Sequence, residues 1–203
     1  MPKVFCVGRN KTGTTSLGAA LEGLGFKLGD QAQAEGLLED WARRDFSRLI
    51  EYCDSADAFQ DIPFSLDYTF QALDAAFPGS KFILTTRDSA DEWYRSVVEF
   101  HTKLIGKNRL PTADDLRAFP YRETGWMWRA QELAHGVTEK NPYDRETYIR
   151  HYEEHNDRVR DYFRHRPDAL LVLNLAEPDS LARLCAFLGK PFPGGVMPHL
   201  NKT

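Results

Sequence analysis

Several features that mark other protein classes are scarce or missing in this chain of 203 residues. No apolar run approaches the ~18 residues of a membrane-spanning helix, so no membrane span is predicted. The segment before Gly8 is too short for a secretory signal peptide. The formal net charge is −4, whereas a nucleic-acid-binding protein usually carries a basic face. We therefore expect no nucleic acid as partner.

Cysteine is also scarce. The chain has three cysteines, Cys6, Cys53 and Cys185, which lie far apart in apolar or helical surroundings. None belongs to a C-x-x-C pair of the kind that binds zinc or carries out redox chemistry. Free buried thiols are typical of a reducing compartment, so we predict a cytoplasmic protein without a bound metal.

The sequence does contain an alternation of short apolar runs and amphipathic segments. Strands are predicted at 3–7, 55–63, 81–86 and 168–175. Helices are predicted at 14–24, 34–52 (one or two), 65–80, 89–105, 121–136, 144–165 and 178–188. The alternation predicts an α/β fold in three layers, with an open parallel sheet flanked by helices. We expect a single domain over 1–203, with a loop or lid at 106–120 inside an acceptor region at 100–150.

The first predicted strand runs into the segment VGRNKTGTTSL, which starts at Val7. Gly8 and Gly13 have the spacing of a Walker A loop, G-x-x-x-x-G-K-[ST], but Thr14 stands where that motif has its lysine. The lysine of the segment, Lys11, lies inside the loop instead. A glycine loop that leads into a helix offers backbone N–H groups to an anion, and Thr14, Thr15 and Ser16 add hydroxyl donors.

Two classes of protein could use such a loop to bind a nucleotide. A nucleotide kinase or another nucleoside triphosphatase would need a lysine at position 14 and a carboxylate that helps to hold magnesium. A non-catalytic nucleotide-binding module would need the loop alone. Both remain alternatives at this point.

The motif KTGTTSL resembles the 5′-phosphosulfate loop of sulfotransferases that use 3′-phosphoadenosine 5′-phosphosulfate (PAPS). The segment ILTTRDSADEWYRSV is similar to the 3′-phosphate segment of that family. YEEHN and LCAFLGKPFPGGVMPHLN resemble later segments of a short subgroup of about 200 residues. The resemblance implies a fold like that of P-loop nucleoside triphosphatases. It also implies transfer of a sulfuryl group to a hydroxyl or amine of a small-molecule, carbohydrate or lipid acceptor.

The resemblance assigns roles to individual residues. Lys11 would stabilise the charge on the leaving phosphate, without a metal ion. Asp61, in FQDIP, occupies the position of the family's general base, where many cytosolic members have histidine. Arg87 and Ser96 would bind the 3′-phosphate. The residues expected to surround the 5′-phosphosulfate are Arg9, Lys11, Thr12, Gly13, Thr14, Thr15 and Ser16.

A few further residues are candidates for contact with the acceptor. His101 is an alternative base, Trp126 belongs to an aromatic cluster that could line a pocket, and His155 lies in a family-like segment. His155 also completes HYEEH, which fits the H-x-x-E-H pattern of some zinc peptidases, but two histidines one turn apart are common on a charged helix. In the tail, Asn201 or Lys202 could contact the 3′-phosphate.

Overall fold

A computed structural model describes residues 1–200 of the chain. It contains a four-stranded sheet in the order β2-β1-β3-β4, in which all neighbours pair in parallel. The strands are β1 (Val4–Cys6), β2 (Ala58–Phe59), β3 (Lys81–Thr86) and β4 (Leu170–Asn174). Each of them lies inside a range predicted as strand, and the parallel α/β fold is confirmed.

Helices of different lengths connect the strands, and one further helix follows β4. They are α1 (Thr14–Gly23), α2 (Gln31–Glu35), α3 (Leu38–Ala42), α4 (Ser47–Tyr52), α5 (Thr69–Ala76), α6 (Ala90–Ile105), α7 (Ala113–Ala118), α8 (Trp126–His135), α9 (Arg145–Phe163) and α10 (Ser180–Leu188). Within residues 1–200, none of these helices is long and apolar enough to cross a membrane.

Helix α7 corrects the prediction that 106–120 is a loop. Its six residues are too few to give a helical pattern of apolar positions. A capping box stabilises its start: the hydroxyl of Thr112 accepts from the backbone N–H of Asp115, and the Asp115 carboxylate accepts from the backbone N–H of Thr112. The same carboxylate pairs with Lys107 and Arg109, which fixes the segment that leads into the helix.

The sheet is covered on both faces, as its strand sequences require. Phe5 and Phe82 point into one apolar cluster, with residues of α2, α4, α5 and the end of α9. Cys6 and Ile83 point into a second cluster, with residues of α1 and α10. Successive strand residues thus alternate between two buried layers, which is why the strands read as continuous apolar runs. The three layers are those predicted.

The chain forms two compact units. The first contains the sheet and consists of Met1–Asp88 and the chain from Asn156 to Leu200; the second is Ser89–His155. The second unit encloses the predicted acceptor region at 100–150. The grouping of both units into a single domain stays a prediction.

An aromatic and polar interior holds the second unit together. The ring of Trp93 stacks on that of Tyr152 with centroids 4.6 Å apart, and His135 stacks on Tyr148 at 4.2 Å. The hydroxyl of Tyr148 donates to Gln131 Oε1 over 2.6 Å. This hydrogen bond offsets the cost of burying the Tyr148 hydroxyl and the Gln131 amide oxygen inside the unit.

Candidate active site

The loop between β1 and α1 lies at the carboxyl end of β1, where the strand order reverses and ligands bind in open α/β sheets. Gly8 lets the loop pass close to β3: a Cβ there would lie 2.1 Å from Thr85 Oγ1 and 2.5 Å from the Thr85 carbonyl oxygen. Gly13 has a φ of 97°, in the left-handed region that favours glycine. Both glycines of the motif are therefore required by the path of the chain.

The side chain of Thr12 holds this loop together from inside. Its hydroxyl donates to the carbonyl oxygen of Arg9 and lies 2.5 Å from Thr85 Oγ1. The backbone N–H of Thr12 also donates to Arg9, over 3.3 Å. Thr12 is buried, so these bonds shape the loop. A contact of Thr12 with a bound donor stays a prediction.

Lys11 adopts a φ of 65°, which is unusual for a residue with a Cβ. Such a conformation costs about 1–2 kcal/mol and persists where the surroundings impose it, often at functional sites. One such restraint comes from Arg87, whose Nε donates to the Lys11 carbonyl oxygen over 2.9 Å. Arg87 follows directly after β3. The predicted 3′-phosphate ligand thus also fixes the loop that carries the predicted catalytic lysine.

The side chain of Arg9 is buried and paired inside the protein. It is 1% exposed, its Nη2 pairs with Asp67 Oδ1 at 2.8 Å, and its Nη1 donates to the Ser65 carbonyl oxygen over 3.2 Å. Burial lowers the pKa of the guanidinium, and the charge of Asp67 opposes that shift. The Arg9 side chain therefore connects the loop to the segment after β2. The predicted contact of Arg9 with the 5′-phosphosulfate would be made by its backbone N–H group.

Asp61 meets the phosphate loop through Thr14. The Thr14 hydroxyl donates to Asp61 Oδ2 over 3.2 Å, and Asp61 Oδ1 accepts from the backbone N–H of Ile62 over 2.9 Å. Like Lys11, Asp61 has a positive φ, of 62°. The structure therefore brings together the carboxylate proposed as base and the first turn of α1.

The electrostatics of Asp61 suit a proton acceptor. Burial of the carboxylate raises its pKa, and the hydrogen bonds from Ile62 and Thr14 and the positive charge of Lys11 oppose that shift. The pKa of Asp61 thus responds to the charge of the Lys11 ammonium group. The two predicted catalytic groups therefore interact electrostatically.

The other loop hydroxyls have different surroundings. Thr15 is exposed, whereas Ser16 is buried in the first turn of α1. Ser16 Oγ accepts from the backbone N–H of Leu200 over 3.0 Å, so the C-terminal segment reaches the loop helix. The predicted tail contacts, Asn201 and Lys202, lie outside the described residues.

The remaining candidates lie in the second unit. Ser96 is buried on α6, and on the same helix His101 is 3% exposed, with Nδ1 2.9 Å from the hydroxyl of Tyr143. Trp126 begins α8 and packs its ring 5.3 Å from that of Tyr121. His155 lies on α9 and is 1% exposed. Burial of this degree is typical of structural residues, and their contacts with an acceptor stay predictions.

Metal binding and two residues that fix the loop, Asp67 and Thr85, complete the description. Among residues 1–200, no group of three or more His, Cys, Asp or Glu side chains could hold a metal ion. Sequence reasoning missed Asp67 and Thr85, which fix the loop through Arg9 and Thr12. The one signal in the sequence was Arg9 itself, because a charged side chain that becomes buried needs a partner. The sequence pattern does not identify which residue that partner is.

The parallel sheet with helices on both faces, and the glycine loop between β1 and α1, define an α/β protein with a P-loop-like fold. A family model described as Sulfotransferase domain matches residues 3–203, and the chain belongs to this family. No curated protein matches the chain.

Proposed function

We propose that the protein transfers a sulfuryl group from PAPS to a hydroxyl or amine acceptor. Membership of the sulfotransferase family supports sulfuryl transfer in general. The observation that carries the finer proposal is the junction of Lys11, Thr14 and Asp61 at the start of α1. A cation beside the anion loop and a carboxylate of raised pKa are the groups that an in-line transfer from a phosphosulfate needs.

In this proposal the loop holds the 5′-phosphosulfate. The backbone N–H groups around Gly13 and the first turn of α1 bind its oxygens, and Thr14, Thr15 and Ser16 supply hydroxyls. Lys11 stabilises the negative charge that develops on the bridging oxygen as the sulfur–oxygen bond breaks. The ammonium group can do so without a metal ion, because the sulfuryl group carries less charge than a γ-phosphoryl group.

Asp61 acts as the general base. It accepts the proton of the acceptor hydroxyl or amine while the acceptor's oxygen or nitrogen forms the new bond to sulfur. The bond from sulfur to the 5′-phosphate oxygen breaks, and 3′,5′-bisphosphoadenosine leaves with the electron pair. A raised pKa makes the carboxylate a stronger proton acceptor than an exposed aspartate.

Arg87 is proposed to bind the 3′-phosphate. Its planar fork of donors suits a phosphate monoester, and its bond to Lys11 connects that role to the loop. For Ser96 the same role rests on the family resemblance alone. Contacts of His101, Trp126 and His155 with the acceptor, and a cytoplasmic location, also stay predictions.

Sulfate transfer can be tested with ³⁵S-labelled PAPS and three sets of acceptors: phenols, sugars and lipid alcohols. The reaction is run in EDTA, with Lys11→Ala as the negative control. We expect labelled product from at least one set with the parent protein and at least about a hundredfold less with the variant. A separate reaction with Mg-ATP is run without EDTA. Hydrolysis of Mg-ATP without sulfate transfer would favour a nucleoside triphosphatase, and nucleotide binding without either reaction would favour a non-catalytic module.

A further inference from the structure

Tyr68 is an exposed aromatic residue in a costly conformation. It precedes α5 with a φ of 66°, and 44% of its surface is exposed. Glycine or asparagine would adopt this φ more readily than a residue with a large ring. The protein thus holds an aromatic ring at its surface at a conformational cost, which neither the fold nor the proposed mechanism explains.

Two arginines lie over this ring. The guanidinium carbon of Arg44 lies 4.8 Å from the ring centroid, and that of Arg158 lies 5.6 Å away. Arg44 also lies 4.5 Å from the ring of Trp41 and has a positive φ of its own, 60°. Two positive charges beside one exposed ring contrast with the net charge of −4 of the whole chain. The local charge therefore favours an anion at this place on a protein whose net charge is negative.

The ring is connected to the candidate active site by short links. Asp67, its neighbour in sequence, accepts from Arg9 of the phosphate loop at 2.8 Å and from Arg158 at 3.0 Å. Between Asp61 and Tyr68 the chain turns tightly: the Ser65 N–H donates to the Asp61 carbonyl over 2.8 Å, and the Leu66 N–H to the Pro63 carbonyl over 3.1 Å. The proposed base and the exposed ring thus belong to one compact segment.

We propose that Tyr68, Arg44 and Arg158 form an acceptor subsite that selects a ring-bearing molecule with a carboxylate or sulfate group. The acceptor ring packs against the exposed part of Tyr68 that the arginines leave uncovered, and the two guanidinium groups bind the anion through charge-assisted hydrogen bonds. This inference rests on the proposed function, because it assigns the class of acceptor that the transfer uses. The competing explanation is an internal clamp in which the arginines only pack on Tyr68.

Matched pairs of acceptors separate the two explanations. Binding is measured by titration calorimetry in the presence of saturating 3′,5′-bisphosphoadenosine. One pair is 4-hydroxyphenylacetate and 4-methylphenol, and the other is methyl glucuronide and methyl glucoside. At least one anionic compound should bind about tenfold more tightly than its neutral partner. The pair that responds identifies a phenolic or a sugar ring. Equal binding within both pairs, or no measurable binding of either anion, would overturn the subsite.

Two variants that each remove one positive charge, Arg44→Gln and Arg43→Gln, test which residue causes the preference for the anionic acceptor. Arg44→Gln should reduce the preference for the anion to about twofold or less. Arg43→Gln is the control, since Arg43 is an exposed neighbour that pairs with Asp40 and should leave the preference intact. Tyr68→Asn suits the positive φ but removes the ring, so it should weaken both members of the responding pair. If Arg44→Gln and Arg43→Gln behave alike, the arginine acts only as a clamp.

Failure of the subsite and failure of the proposed function have different signatures. The nucleotide is titrated first, without acceptor. If 3′,5′-bisphosphoadenosine does not bind, the proposed function itself is contradicted, and with it the subsite. If the nucleotide binds and ³⁵S is transferred, but anionic and neutral acceptors are used equally, the sulfotransferase proposal stands and the subsite is wrong.

Discussion

The hydroxyl of Thr14 donates to the carboxylate of Asp61 across 3.2 Å, and this contact joins the phosphate loop to the segment after β2. Thr14 begins the helix that follows β1, and Asp61 lies after β2, so the contact forms at the carboxyl ends of two neighbouring strands. The positive charge of Lys11 acts on the same carboxylate. A donor bound at the loop would therefore react beside a group that can take up a proton.

The first prediction concerns Asp61 as a base. Asp61→Asn should lower the rate of sulfate transfer by about 10²–10⁴-fold, the contribution of general-base catalysis. Affinity for 3′,5′-bisphosphoadenosine should stay nearly unchanged, because the amide can still accept from Ile62. The pH–rate profile of the parent should show a limb that rises with pH, with its midpoint above the usual aspartate range. A variant that transfers sulfate at the parent rate would exclude Asp61 as the base.

The same carboxylate should influence stability with a definite sign. Because burial raises its pKa, the folded protein binds more protons than the unfolded chain once the pH exceeds the ordinary aspartate pKa of about 4. The contribution of Asp61 to the free energy of unfolding therefore falls as the pH rises through its folded-state pKa. Relative to the parent, Asp61→Asn should gain thermal stability at pH 8 compared with pH 4. An equal difference at both pH values would argue against a raised pKa.

Lys11 is expected to matter for turnover more than for folding. Lys11→Ala should reduce transfer by about 10²–10³-fold, as for the loss of one group that stabilises the developing charge. Alanine also has a Cβ, so the conformational cost of the positive φ at this position is retained. The exposed Lys27→Ala removes the same charge elsewhere and serves as the control. Comparable activity of the two variants in the ³⁵S assay would remove Lys11 from the mechanism.

Gly8 should be a structural requirement of the loop. In Gly8→Ala the new methyl group would come within 2.1–2.6 Å of three atoms of Thr85, two of them in the backbone. We expect a loss of about 3 kcal/mol or more in the free energy of unfolding, measured by urea denaturation. Gly23→Ala, at the end of α1 with nothing within 4 Å of the new Cβ, should instead gain about 0.5–1 kcal/mol. Similar effects of both substitutions would contradict the close approach of the loop to β3.

The sequence predicted the sheet well because its signals are local. The strand Lys81–Thr86 is a nearly continuous apolar or β-branched run, and Gly8 and Gly13 with the hydroxyls after them indicate an anion loop. The helix at Ala113–Ala118 was missed because six residues give no clear periodicity. In the candidate site, Lys11 and Asp61 were chosen by motif and resemblance. The roles of Asp67 and Leu200 depend on contacts with residues far away in sequence, Arg9 and Ser16, which no local pattern reports.

The central claim is that the loop with its lysine at position 11 is built for the nucleotide of a sulfuryl donor. The most direct measurement is titration calorimetry of the protein with 3′,5′-bisphosphoadenosine and with adenosine 5′-monophosphate, both in EDTA. Mg-ATP is titrated separately, in buffer without EDTA. We predict one molecule of bisphosphate bound without metal, at least about tenfold more tightly than the monophosphate that lacks the 3′-phosphate. Binding of Mg-ATP with no response to the bisphosphate would contradict the account.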